Sequence, residues 1–137
     1  MKHLLMLAAL TAGFVFAQAP AKHKVVLQMN VDGTDSWNQL FGNIGNVQTA
    51  FKADGVQIEV VFYGRGITAL LKTNDAYKER LAKAAADGVI LGACQNSMRQ
   101  RKIVSADIFP FATEVDSGVA EIVRKQEAGW SYVRAGE

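Results

Sequence analysis

GVILGACQNSMRQRKI, residues 88–103, joins an apolar run directly to a polar and basic run. Residues 88–94 have the near-continuous apolar character of a strand that is buried on both faces of a sheet. The small polar residues after them are typical of a helix start, and we expect a helix to begin near Asn96 or Ser97. A buried strand that passes straight into a helix is the repeating unit of a parallel α/β fold.

The same alternation extends over the rest of the chain. One helix is predicted from the helical period of Trp37, Leu40, Phe41, Ile44, Val47 and Phe51. The other predicted strands cover residues 23–31, 56–64, 111–117 and 130–135, and the other helices cover 67–72, 73–88 and 117–129. This order predicts a three-layer α/β/α sandwich around a mainly parallel sheet of about four to five strands, with right-handed crossovers.

Capping residues predict where the helices begin and end. The expected first residues are Asp35 or Ser36, Asn74 or Asp75, and Ser117, and the expected stops are Gly55, Gly88 and Gly129.

The N-terminal segment has the layout of a secretory signal peptide. Lys2 precedes an apolar run that ends at Phe16, and Val15 and Ala17 are small residues at the spacing of a cleavage site. The run is shorter than the roughly 20 residues that span a bilayer, so we expect no membrane insertion after cleavage. A buried N-terminal helix is the alternative. We predict a signal peptide over 1–17, a flexible lead-in over 18–23, a single domain over 24–134, and a periplasmic or secreted protein.

Composition and histidine content exclude several classes of function. Half of the residues are hydrophobic and the formal net charge is +2, with no basic stripe among aromatic residues, so no nucleic-acid partner is expected. The two histidines are His3, in the leader, and His23, at the start of the mature chain. These positions exclude a hydrolase with a catalytic imidazole. They also exclude a metal site built from histidine and cysteine, and we predict neither a metal nor an organic cofactor.

Functional residues of an open parallel sheet are expected at the carboxyl ends of its strands, near the switch in strand order. Four loops qualify, over residues 32–36, 64–66, 94–97 and 116–118. The glycines of 64–66 formally fit a dinucleotide-binding motif, but they follow the second strand. We interpret them as a tight turn that brings Arg65 to the same rim as Cys94, where the rim is the side of the sheet formed by the carboxyl ends of its strands.

Asp32, Asp35 and Asp116 are interpreted as turn and cap residues, and Trp130 and Tyr132 as core or interface aromatics.

Cys94 is the only cysteine of the chain, so it forms no internal disulfide. In an exported protein a leftover cysteine indicates a reactive thiol or an intermolecular partner. The helix start, Asn96 and Ser97, and the positive charges of Arg99 and Arg101 all favour a thiolate or a persulfide anion here. The alternative is a small buried hydrophobic residue without chemistry.

Residues 88–103, followed by DIFPFATEVDSGVAEIVRKQEAGWSYVRA, resemble the DsrE-like sulfur-relay family, of the DsrE/DsrF/TusD type. In that family a strand ends in a cysteine, a short helix carries an R-x-(R/K) pair, and a G-V-A-E-I/L helix follows the fourth strand. WNQLFGNIGNVQTAFKADG and EVVFYGRGI resemble the exported members. The resemblance extends from about Lys24 to Arg134.

The resemblance implies an α/β/α fold, assembly into trimers or hexamers, and a cysteine that accepts sulfur as a persulfide. We therefore expect an exported sulfur-handling protein, a sulfurtransferase or persulfide carrier. Its partners would be small sulfur compounds or a donor or acceptor protein. The expected roles are sulfur carriage by Cys94, loop orientation by Asn96 and Ser97, and anion stabilisation by Arg99, Arg101 and Arg65. The alternative is a non-catalytic oligomeric binding module whose small-anion pocket is lined by Cys94.

Two glycines inside the first predicted helix favour a homo-oligomer. Gly42 and Gly45 each reduce helix stability by roughly 1 kcal/mol. That cost is understandable if a second backbone approaches there, with Asn43 and Asn46 as polar contacts, so we predict a trimer or a multiple of it.

Overall fold

The computed structural model describes residues 20–136, and the predicted signal peptide lies outside the described residues. The strands are β1 His23–Met29, β2 Val56–Phe62, β3 Ile90–Cys94, β4 Thr113–Val115 and β5 Ser131–Arg134. The helices are α1 Thr34–Ala50, α2 Asp75–Ala86, α3 Gln95–Gln100 and α4 Gly118–Glu127, with 3₁₀ segments at Gly64–Leu70 and Ser105–Asp107. No helix among residues 20–136 is long and apolar enough to cross a membrane.

All neighbouring strands of the five-stranded sheet are parallel, in the order β4-β3-β2-β1-β5. The steps from β1 to β4 all run in one direction, so right-handed crossovers place their helices on one face. The return from β4 to β5 runs the other way and therefore places α4 on the opposite face. The predicted fold class is confirmed, with a sheet that is parallel throughout the described residues.

The core is divided unequally between the two faces of the sheet. The larger cluster packs β1, β2 and β3 against α1 and α2, with Leu27, Phe62, Leu40 and Leu81 among its fully buried members. The smaller cluster, on the α4 face, holds Val26, Val61 and Ile122, with Tyr63 and Trp130 packed against it. Within residues 20–136, α4 with its ten residues is the one helix on this second face, so part of the face stays open there.

The predicted apolar stripe of α1 is confirmed, but its predicted start is wrong. Leu40 and Ile44 are buried. The helix begins at Thr34 after Gly33, whose carbonyl accepts from Trp37 N–H at 3.1 Å and whose φ is 109°. Asp35 and Ser36 therefore lie inside the first turn, where a carboxylate is favoured by the helix dipole.

The prediction that α3 begins at Asn96 or Ser97 is also wrong, by one or two residues. Cys94 occupies the N-cap position itself, and its side chain accepts from the N–H of Ser97. A sulfur atom thus takes the position that an oxygen of serine, threonine or aspartate usually fills. The other two predicted helix starts are confirmed. Ser117 caps α4 through its hydroxyl, and Asn74 is the N-cap residue of α2, although its side chain bonds the carbonyl of Ala69 and no amide of the helix.

Candidate thiol site

Three of the four predicted rim loops converge on Cys94. The thiol lies at the end of β3 on the α4 face, where the turn after β2 and the start of α4 meet it. From the loop at residues 32–36, Asp32 forms an ion pair of 3.7 Å with Arg65. The site is therefore assembled by segments that are well separated along the chain.

Backbone amides from two helices hold the sulfur atom. Gly118 N lies 3.1 Å from Sγ, and Ser97 N lies 3.4 Å from Sγ. Both amides belong to first turns, where N–H groups have no acceptor within their own helix. The sulfur atom therefore faces the positive ends of two helices, and both favour negative charge on it.

Ser97 connects the thiol to the turn after β2. Its Oγ accepts from the N–H of Gly64 at 2.8 Å, and its hydroxyl donates to the sulfur of Cys94. Ser97 is buried, so water does not compete for either bond.

These hydrogen bonds determine the acidity of the thiol. Burial raises the pKa of Cys94, whereas the hydroxyl of Ser97 and the backbone N–H groups of Ser97, Gly118 and Asn96 lower it. The lowering effects are larger in sum, so the pKa of Cys94 lies below its ordinary value. A larger thiolate fraction at neutral pH follows, as in reactive cysteines.

Gly118 lies in one of the predicted loops, but the sequence reasoning gave it no role at the thiol. A Cβ at this position would lie 2.8 Å from the Cβ of Tyr63 and 3.2 Å from Cγ1 of Val61. Only glycine therefore lets α4 approach β2 closely enough for its first amide to reach Sγ. The available signal was the Ser117-Gly118 pair at a helix start, where a glycine directly after the cap is unfavourable for the helix alone.

The three predicted arginines lie around the site, and none donates a hydrogen bond to Sγ. Arg99 donates to the side-chain oxygen of Asn96, and Nε of Arg101 donates to the carbonyl of Gly64 at 2.9 Å. The side chain of Arg65 faces Asp32. Arg101 therefore holds the same Gly64 residue that bonds Ser97, and stabilisation of an anion by the arginines stays a prediction.

The switch in strand order lies elsewhere. It falls between β1 and β5, two strands away from β3. Ala135 and Gly136, both buried, occupy that position, and Ala135 N–H bonds the carbonyl of Gln28 at 2.9 Å. The thiol thus uses the carboxyl end of the sheet but not its switch point.

A cavity of about 260 Å³ lies beside α3 and is lined in part by Gln95, Arg99 and Glu114. Cys94 does not line it, and Glu114 accepts from the Gln95 amide at 2.9 Å inside it. A carboxylate in its wall makes this cavity a poor match to a small-anion pocket. Within residues 20–136, no group of three or more histidine, cysteine, aspartate or glutamate residues is arranged to hold a metal ion.

Comparisons with known proteins agree with this architecture. A family model described as the DsrE/DsrF-like family matches residues 5–135. A solved structure of a protein of unknown function, MTH1491 from Methanobacterium thermoautotrophicum, is similar with a TM-score of 0.78 and 30% identity, over 82% of this chain and 99% of that chain. A search of curated proteins gave no match. Proteins of the matched family act with sulfur-transfer partners and often oligomerise.

Proposed function

Because the chain belongs to the DsrE/DsrF-like family, we propose that it is an exported sulfur carrier in which Cys94 holds a persulfide and passes the sulfur on. Family membership suggests sulfur relay. The observation that supports the finer proposal is the pair of helix amides, Ser97 N and Gly118 N, on Sγ.

The transfer is a balanced exchange at sulfur. The thiolate of Cys94 attacks the outer sulfur of a donor R–S–SH, a new bond forms between Sγ and that outer sulfur, and the S–S bond between the inner and the outer sulfur of the donor breaks. The leaving RS⁻ takes up a proton, and the outer sulfur keeps its oxidation state. An acceptor thiolate then attacks the outer sulfur of the Cys94 persulfide and releases the Cys94 thiolate.

The site holds its anion without an imidazole. His23 stacks on Phe51 with ring centroids 3.9 Å apart, at the amino end of β1, whereas Cys94 ends β3. In a parallel sheet the amino end of one strand and the carboxyl end of another lie at opposite ends of the strands. No histidine among the described residues is therefore available to activate the thiol, and the hydrogen bonds described above perform that role.

A non-catalytic binding module is the second candidate, and the burial of the thiol favours it. Cys94 is 4% exposed, which is less than a freely reactive cysteine needs. The two candidates differ in whether sulfur becomes bonded to Cys94.

Mass spectrometry after exposure to inorganic polysulfide tests the proposal. We expect the folded wild type to gain sulfur atoms on Cys94, reversibly under a thiol reductant, and Cys94→Ser to gain none. Wild-type protein that gains no sulfur while still folded would support the binding module and end the carrier proposal.

Export is a separate part of the proposal, because residues 1–17 lie outside the described residues. The supporting observation is the layout of the N-terminal sequence. We expect N-terminal sequencing of native protein to begin near Gln18, and a native chain that begins at Met1 would refute export.

A further inference from the structure

The open part of the α4 face carries a group of polar side chains on the same side of the sheet as the thiol. Gln28 and Arg134 are register partners on β1 and β5, and Val26, which packs in the α4-side core, is the partner of Tyr132. Because partners in a parallel ladder point to the same side, Gln28, Tyr132 and Arg134 share the face that carries Tyr63 and Cys94.

Two of these side chains have hydrogen-bonding capacity toward a ligand. Tyr132 is 42% exposed, and its hydroxyl donates to Oε1 of Gln28 at 2.6 Å. The phenol oxygen can accept a further hydrogen bond, and the O–H can rotate from Gln28 toward a ligand. Nε of Arg134 donates to the carbonyl of Gly136 at 2.9 Å. Among residues 20–136, Arg134 makes no ion pair with a carboxylate, and the residue is exposed.

Tyr63 connects this group to the thiol. Its side chain lies against Gly118, whose amide holds Sγ. Burial raises the pKa of Tyr63, and nearby Tyr132 and Cys94 raise it further, whereas nearby Arg134 lowers it. Tyr63 directly follows β2, which lies between β3, the strand that ends in Cys94, and β1, the strand that pairs with β5.

We propose that Tyr63, Tyr132 and Arg134, the tyrosine–arginine site, bind the carboxylate of an organic sulfur donor whose persulfide reacts with Cys94. Arginine suits this role because its planar guanidinium binds a carboxylate through two parallel hydrogen bonds. The phenol of half-buried Tyr63 adds a neutral donor, and the hydroxyl of Tyr132 adds a second when it rotates from Gln28 to the ligand. The inference rests on the proposed function, since the donor's sulfur is the atom that Cys94 accepts.

The spacing of the strands selects the size of the donor. Neighbouring strands lie about 4.8 Å apart, so the backbones of β5 and β3 are about 14 Å apart, and side chains from both sides reach into that interval. A single sulfur–sulfur bond is only about 2 Å long, so it spans little of that interval. A peptide-sized thiol with a carboxylate several bonds from its sulfur spans more of it.

Loading of Cys94 by matched donors tests this inference. The probes are glutathione persulfide, the persulfide of glutathione diethyl ester, in which both carboxylates are blocked, and inorganic polysulfide. For the wild type we expect half-maximal loading by glutathione persulfide, the acid, at a concentration about tenfold lower than by the ester. A hydrogen bond to a charged carboxylate provides a difference of that size.

Variants then locate the effect. Arg134→Gln is expected to remove the preference for the acid over the ester and to leave loading by polysulfide unchanged. Lys52→Gln is the matched control, because it removes the same charge from an exposed residue just after α1. Tyr63→Phe, which keeps the ring against Gly118, is expected to reduce the preference in part.

Several results would overturn the inference. One is a wild type that loads equally well from acid and ester, a comparison that needs no variant to fold. Another is an Arg134→Gln protein that keeps the full preference for the acid. In both cases loading by polysulfide would leave the carrier proposal intact, whereas a wild type that takes sulfur from none of the three probes would end both.

Discussion

Ser97 is the residue on which the chemistry of the thiol most depends. Its hydroxyl and its backbone N–H both bond the sulfur of Cys94, and its oxygen accepts from Gly64. We predict that Ser97→Ala raises the pKa of Cys94 and slows alkylation by iodoacetamide at neutral pH. The variant should also lose about 1–3 kcal/mol of stability, because the amide of Gly64 is left unpaired.

A series of alkylation rates against pH measures this effect, with Ser131→Ala as a control in an exposed strand residue. Arg99→Ala tests the sequence-based prediction that Arg99 stabilises the anion. A slower alkylation at neutral pH would support that role, and an unchanged profile would show that the hydrogen bonds from Ser97 and Gly118 suffice. A thiol that reacts only after denaturation, in every variant, would contradict the reactive role of Cys94.

At the scale of elements, the approach of α4 to the sheet determines the second hydrogen bond to sulfur. Gly118→Ala would place a methyl group 2.8 Å from Cβ of Tyr63, so the helix or the ring has to move. We predict a loss of about 1–3 kcal/mol in the free energy of unfolding and a higher pKa for Cys94. Urea unfolding and the alkylation series measure the two effects.

Gly45→Ala is the matched control for that substitution. A Cβ there meets nothing within 4 Å, so the variant should keep the wild-type alkylation profile. A Gly118→Ala protein that alkylates like wild type at every pH would show that the amide of residue 118 does not stabilise the thiolate.

The same helix is joined to the sheet by a buried ion pair. Glu59 is 2% exposed, and its Oε2 lies 2.6 Å from Nζ of Lys125, which also lies over the ring of Trp130. Burial raises the pKa of Glu59 despite the hydrogen bond from Lys125, which lowers it. A carboxyl whose folded pKa is raised stabilises the protein most below its unfolded pKa, about 4.3, and this contribution is lost as pH rises through the folded pKa.

We therefore predict that the stability of wild type relative to Glu59→Gln falls as pH rises from about 4.3. Urea unfolding of both proteins across this range measures the difference. A difference that is constant, or that grows with pH, would show that Lys125 outweighs burial.

At the scale of the whole molecule, α1 offers a surface for assembly. Gly42 and Gly45 are exposed, and a Cβ at either would meet nothing within 4 Å in a single subunit. Nothing within the described part of the subunit therefore requires glycine there, which is consistent with the close approach of a second backbone. We predict a homo-oligomer, a trimer or a multiple of it, and expect Gly42→Glu to weaken it by steric exclusion without unfolding the subunit.

Light scattering measures both expectations. A wild-type mass of only about 13 kDa at micromolar concentration, the mass of one mature chain, would refute the assembly. An oligomer that Gly42→Glu leaves intact would place the interface elsewhere, for example at the exposed strand β5.

The sequence by itself determined the order of strands and helices, the α/β class and the position of Cys94 at a strand end, because these follow from periodic and capping patterns within a few residues. Only the tertiary structure decided the environment of the sulfur. Gly118 lies 24 residues from Cys94, and Gly64 lies 33 residues from Ser97. The strand order brings these partners, and Arg134 on β5, to one face. Such contacts between distant residues depend on the packing of the sheet and leave no periodic pattern in the chain.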